Sequence, residues 1–130
     1  MRIALLPMPV DENEREMVEI VRSSDWAVFV ASAGGGAMAG FVEAHLREYA
    51  EGAELSPAGY LEGLYVVPEL RRREIGAALV RAAEDWARSR GRTEMASDAN
   101  CDNGVSIAVR GRLGYSEVER QVCFLKSLAR

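Results

Sequence analysis

Cysteine is scarce. Cys101 and Cys123 are the only two in 130 residues, and they form neither a disulfide framework nor a metal-ligand spacing, which fits a reducing cytosol. No apolar run approaches the roughly 20 residues that span a bilayer, and the start lacks the order of a signal peptide. The reading is therefore cytoplasmic, with no membrane partner and no metal. Positive charge is not in excess either: 16 Lys and Arg stand against 20 Asp and Glu, a net charge of −4. That balance argues against general nucleic-acid binding and suits a cationic small substrate, although it is also ordinary for a soluble protein. There is no internal repeat, and no low-complexity tract beyond the glycines at 34–36. What is present is 48% hydrophobic and 28% charged residues, enough for one domain, residues 1–130, with a real core.

The most informative stretch is 61–87, LEGLYVVPELRRREIGAALVRAAEDWA. Residues 61–67 are apolar enough for a buried strand, and Pro68 ends it because proline has no N–H for a ladder. Beyond it, Ile75, Leu79, Ala82, Ala83 and Trp86 recur at helical spacing. Between strand and helix lie Arg71, Arg72 and Arg73. A helix N-terminus has free N–H groups and a partial positive charge, so a basic turn there is suited to pyrophosphate.

Elsewhere the pattern predicts a helix over 11–23, capped by Asp11 with Met17, Ile20 and Val21 as its apolar stripe. Strand-like runs at 26–32 and 37–46, separated by glycines, predict an antiparallel hairpin. A polar loop follows over 48–58. Gly91 can close the long helix, and a strand at 93–97, a helix at 103–113, a break at Gly114 and a final strand at 115–128 complete the order. The class is α/β with a mixed sheet.

Residues 71–78, RRREIGAA, resemble the acetyl-CoA-binding motif of the GNAT superfamily of N-acetyltransferases, with Glu74 where that motif has glycine. Further segments are similar, in order, to the aminoglycoside 6′-N-acetyltransferases: EAHLREY at 43–49, YLEG at 60–63, AEDWA at 83–87, ASD at 96–98, Asp102 with Asn103, Ser106, and LGYSEVER at 113–120. The resemblance implies a GNAT fold, a mixed, mostly antiparallel twisted sheet flanked by helices, with acetyl-CoA as co-substrate. The family has a first strand, a helix and a Trp-Pro segment ahead of the region matching Leu5, Leu6 and Pro7, so the first strand is expected to be missing. It also implies site residues. Tyr49, Glu62, Asp98 and Glu119 would line the aminoglycoside site, with Glu62 and Asp98 catalytic. The backbone of Leu64, Tyr65 and Val66 would hold the pantetheine arm, Arg72, Arg73, Glu74, Ile75, Gly76 and Ala77 the pyrophosphate, and Asn103 the CoA arm. Arg110 stands where the subfamily has the histidine credited with protonating the leaving thiolate; arginine stays charged and could only stabilise it electrostatically.

These roles fit the chemistry. Carboxylates attract a polycation and can take the proton that makes an ammonium nucleophilic, while a strand N–H can stabilise an oxyanion. Plain structural roles are also open. Glu62 could be one half of an ion pair, Asp98 the cap of a turn, Tyr49 a packed loop residue and Glu119 a solvated strand position. His45, the only histidine, reads as a half-buried spacer in an alternating strand, and Trp26 and Trp86 as core. A homodimer is expected, because subfamily members complete the site with a partner and a shortened N-terminus would leave apolar sheet surface exposed. An acetyltransferase for another small polyamine and a non-catalytic acetyl-CoA-binding relative are the alternatives. Glycine in place of Glu74 is expected to bind acetyl-CoA more tightly and to melt slightly lower, since a carboxylate favours an empty helix N-terminus.

Overall fold

The computed structural model describes residues 16–23, 25–32, 37–68 and 74–130, with the first strand given by its backbone. The described residues up to Asp98 and those from Ala99 to Arg130 form separate compact units. The first holds β1 (Glu16–Ser23), β2 (Trp26–Ser32), β3 (Met38–Arg47), β4 (Ala58–Val66), α1 (Ile75–Ser89) and β5 (Met95–Ser97). Its sheet runs in the order β1-β2-β3-β4-β5. Neighbours are antiparallel through β4, and β5 pairs in parallel with β4 after the crossover through α1.

Alternation along the strands sorts their side chains. Val42 and Ala44 on β3 and Leu61 on β4 are buried, and a Cβ added to Gly40 would lie 3.2 Å from Leu79 Cδ1 of α1. That face of the sheet therefore receives the helix stripe of Ile75, Leu79, Ala83 and Trp86. Glycine is required where the layers meet: a Cβ on Gly59 would come within 2.9 Å of Ala87 Cβ. Helix α1 ends in a Schellman turn. Gly91, at φ 78°, donates its N–H to Arg88 O at 2.9 Å, and Arg92 donates to Ala87 O at 3.0 Å.

The expected helix over 11–23 is corrected. Residues 16–23 are strand β1, in register with β2 from Glu16 opposite Ser32 to Val21 opposite Ala27; residues 11–15 lie outside the described residues. Val18, Ile20 and Val21 are β-branched, and a neighbouring strand that supplies ladder partners outweighs a weak helical stripe. The central strand starts earlier than expected, at Ala58.

In the second unit, Asn103 caps α2 (Gly104–Arg112), its Oδ1 accepting the Ser106 N–H at 3.0 Å. Gly114, at φ 94°, closes that helix with the same Schellman bonds, Gly114 N–H to Gly111 O and Tyr115 N–H to Arg110 O. The final strand expected over 115–128 is not formed: residues 115–130 carry neither helix nor strand. Alternation supplies one face but no ladder, and a strand exists only where a second backbone pairs with it.

At the start of α1, Glu74 is the N-cap residue at φ 62° and ψ 13°, with no side-chain capping bond. This is the left-handed region, which costs a residue bearing a Cβ about 1–2 kcal/mol and glycine almost nothing. The strain exceeds the roughly 0.3–1 kcal/mol that a carboxylate gains from the helix dipole. The sign expected from sequence is thereby reversed: Glu74→Gly should raise the melting temperature by a few degrees, as calorimetry of the ligand-free protein would show.

Candidate active site

The sheet face opposite α1 carries a row of rings set by register. Trp26 on β2 lies opposite His45 on β3, and His45 opposite Tyr60 on β4. The imidazole stacks on the Trp26 indole at a centroid distance of 4.2 Å and 7° between planes, and it meets the Tyr60 ring edge-on at 5.5 Å. The Arg47 guanidinium covers Tyr60 at 4.4 Å.

A β-bulge brings Glu62 into this row. Glu43 pairs with Gly63 and Ala44 with Leu61, so Glu62 is the extra residue of β4. Its carboxylate is half exposed, and Oε2 lies 2.7 Å from His45 Nε2. Being exposed and paired, this carboxylate avoids the cost of burial that an apolar strand would impose. Asp98 joins from the end of β5, its Oδ2 accepting the Tyr60 hydroxyl at 2.8 Å. The two carboxylates singled out from sequence thus share one face of neighbouring strands. Tyr60, between them, is 1% exposed.

Burial, with the Asp98 hydrogen bond and charge next in weight, pushes the Tyr60 phenol from its ordinary 10.0 up to about 12, against a smaller opposing effect of Arg47. The phenol therefore stays protonated at working pH and acts as a donor to Asp98. A raised folded value means that this stabilisation is full below pH 10 and lost as pH rises through about 12. Thermal unfolding from pH 8 to 12 should show a steeper loss in the wild type than in Tyr60→Phe.

Tyr49 is exposed, on the 48–57 loop after β3. That loop is held in place: the Glu94 carboxylate accepts the N–H groups of Glu54 and Leu55, Arg92 donates to Pro57 O, and Ala50 is buried in a cluster with Ala58 and Tyr60. Leu64, Tyr65 and Val66 follow the bulge, and Leu64 and Tyr65 line an open groove of about 390 Å³ together with Met38, Phe41 and Gly63. β5 accompanies β4 only from Gly59 to Leu61, so the strands part at the bulge. Arg72 and Arg73 lie outside the described residues. Ile75, Gly76 and Ala77 form the first turn of α1, whose internal ladder begins with Ala78 N–H to Glu74 O at 3.0 Å. A Cβ on Gly76 would make only ordinary contact, 3.7 Å from Val66 Cγ2, so packing within the chain does not demand glycine there. Among the described residues, a helix first turn whose N–H groups have no intrahelical partner and whose second residue is glycine fits the close approach of a pyrophosphate.

In the second unit, Asn103 is engaged in capping α2, Glu119 is exposed, and the Arg110 guanidinium donates back to Ser106 one turn earlier. Sequence reasoning read His45 as no more than a half-buried spacer, gave no role to Arg47 or the ring stack, and placed Trp26 in the core with Trp86. Trp86 is buried, but Trp26 is only half-buried and faces the polar cluster. The missing signal was strand register. Among the described residues no group of His, Cys, Asp and Glu could hold a metal, and no helix is long and apolar enough to cross a membrane.

The signature of the Acetyltransferase (GNAT) family matches residues 2–115. An aminoglycoside N(6′)-acetyltransferase type 1 of Klebsiella aerogenes is 46% identical over 120 residues, 90% of this chain and 79% of that protein. Its counterpart in Serratia marcescens is 38% identical over 130 residues, covering 98% and 89%. Among solved structures, AAC(6′)-Iy in complex with the bisubstrate analogue CoA-S-monomethyl-acetylneamine superposes with a TM-score of 0.77 at 36% identity, over 82% of this chain and 72% of that one. AAC(6′)-Ih from Acinetobacter baumannii superposes with a TM-score of 0.78 at 37% identity, over 83% and 74%. With the strand, bulge and helix start that its own residues build, this chain belongs to the GNAT acetyltransferase family, among the aminoglycoside 6′-N-acetyltransferases.

Proposed function

We propose that the protein transfers the acetyl group of acetyl-CoA to the 6′-amine of an aminoglycoside, inactivating the antibiotic, and that residues 1–130 act as one cytoplasmic N-acetyltransferase domain. The observation that carries the reading is the pair of carboxylates, Glu62 and Asp98, on the sheet face beside the strand that leads into the first turn of α1.

Acetyl-CoA supplies an activated thioester. On the protein side, Glu62 and Asp98 attract the cationic sugar, and Glu62 takes a proton from the 6′-ammonium, directly or through water. The backbone of Leu64, Tyr65 and Val66 orients the pantetheine arm, and an N–H of that strand is available to a developing oxyanion. Ile75, Gly76 and Ala77 receive the pyrophosphate, with Arg72, Arg73 and Glu74, which precede them in the chain, assigned to it as well. By resemblance to the family, Tyr49 and Glu119 are assigned to the sugar and Asn103 to the CoA arm. Holding amine and thioester together supplies much of the remaining acceleration.

A thiol-release assay with a panel of amines tests the reading. Turnover with kanamycin-type amines is expected. Turnover with simple polyamines alone would replace the substrate, and none with either would leave a non-catalytic acetyl-CoA binder. The exposed free Cys101 and Cys123 suit a reducing cytoplasm.

We also propose a homodimer. Val118, Val122, Phe124, Leu125 and Leu128 are all exposed, Leu125 at 99%, on a segment without ladder partners among the described residues. A second copy would cover this apolar run and supply backbone partners. Light scattering at micromolar concentration should give twice the chain mass; a monomer would overturn the assembly.

A further inference from the structure

The only histidine of the chain sits against a carboxylate to which the reaction assigns a proton. His45 is 14% exposed in its side chain, and its ring plane is set by the Trp26 stack on one side and the Tyr60 edge on the other. Those contacts leave Nε2 aimed along the sheet at Glu62 Oε2, 2.7 Å away. Glu62 needs such an anchor more than most strand residues, because as the extra residue of a bulge it has no cross-strand partner of its own. Three bonds of free rotation would otherwise spread a half-exposed carboxylate over many positions.

We infer that His45 is a positioning residue for Glu62: its Nε2–H holds one carboxylate oxygen so that the other meets the substrate ammonium. The inference rests on the function proposed above. Nε2 carries hydrogen in both the protonated ring and the neutral tautomer that this bond selects, so the ring donates in either state. Among the described residues Oε1 has no protein partner, which leaves it for the amine. On proton transfer, the N–H bond of the ammonium breaks and the proton moves to Oε1, while His45 keeps its own proton and its bond to Oε2. The free amine then holds the electron pair needed for attack. The imidazole thus sets where the base stands and does not itself take the proton.

Three variants separate this role from ring packing. His45→Phe keeps an aromatic ring between Trp26 and Tyr60 but donates nothing. His45→Gln carries an amide nitrogen the same number of bonds from the backbone as Nε2. His45→Ala removes both features. With the charge of Glu62 retained, Phe and Ala should lower kcat for the aminoglycoside by about 10- to 100-fold, change its KM less, and leave the acetyl-CoA KM within about twofold. Gln should return kcat to within a few-fold of wild type. If the Phe variant is folded by circular dichroism and keeps wild-type kcat, the inference is overturned.

Imidazole 15N resonances give a second readout that needs no turnover and, with a single histidine in untagged protein, no assignment. Glu62→Gln should shift them, and resonances indifferent to that change would also overturn the proposal. A wild-type chain that acetylates no aminoglycoside defeats the proposed function, whereas an active wild type matched by an equally active Phe variant defeats this inference alone.

Discussion

Glu62→Gln is expected to lower kcat/KM for an aminoglycoside by about 100-fold, the lower end of what a positioned base contributes together with the loss of one attracting charge. The amide is nearly the same size and can still accept from His45 Nε2, so fold and ring stack should survive. Acetyl-CoA affinity should stay within about twofold, because Glu62 lies within β4 and is not one of the residues assigned to the pyrophosphate, Ile75, Gly76 and Ala77, at the start of α1. Asp98→Asn should cost less, on the order of 10-fold, since Asn can still accept the Tyr60 hydroxyl and loses only its charge toward the polycation. Steady-state kinetics with each substrate varied in turn reads both. Wild-type kcat/KM in Glu62→Gln would remove this carboxylate from the chemistry, whatever its geometry.

The largest effect on stability is expected at Gly40. A Cβ there would lie 2.5 Å from the carbonyl oxygen of Tyr65 and 3.2 Å from both Val66 Cα and Leu79 Cδ1. The first two are backbone atoms of β4 and cannot swing aside as a side-chain tip can. Gly40→Ala must therefore push β3 from β4, or α1 from the sheet, at about 1–3 kcal/mol. For a domain of this size that is a fall in melting temperature of roughly 5–15 °C. The strain falls at Tyr65 and Val66, which the proposed function assigns to the pantetheine arm, so acetyl-CoA affinity should drop as well. Thermal unfolding with and without acetyl-CoA separates the two effects. A melting temperature within a degree of wild type would mean that the strands are less tightly apposed than this contact requires.

Much of the site was written locally. The strand into α1, the helix stripe of Ile75, Leu79, Ala83 and Trp86, and the terminating glycines Gly91 and Gly114 depend on neighbours within a few residues, so periodicity and turn chemistry reveal them. Glu62 and Asp98 stood out for the same reason, as carboxylates in or ending apolar strands.

What sequence alone could not decide was every feature that needs a second strand in register. Residues 16–23 scan as helix and become β1 because β2 offers a ladder. Residues 115–128 scan as strand, yet no strand forms there, since alternation does not create a partner. Trp26, His45 and Tyr60 lie 15 or more residues apart in the chain and form one row only once three strands are aligned, and a single step of slippage would turn each ring to the other face. The bulge that offers Glu62 to His45 is likewise an offset between two strands, invisible in either one. The sequence by itself determined the two carboxylates and the helix start to which the proposed function gives the amine and the pyrophosphate. Pairing between distant segments, fixed by backbone hydrogen bonds and packing against α1, decided which side chains those carboxylates lean on.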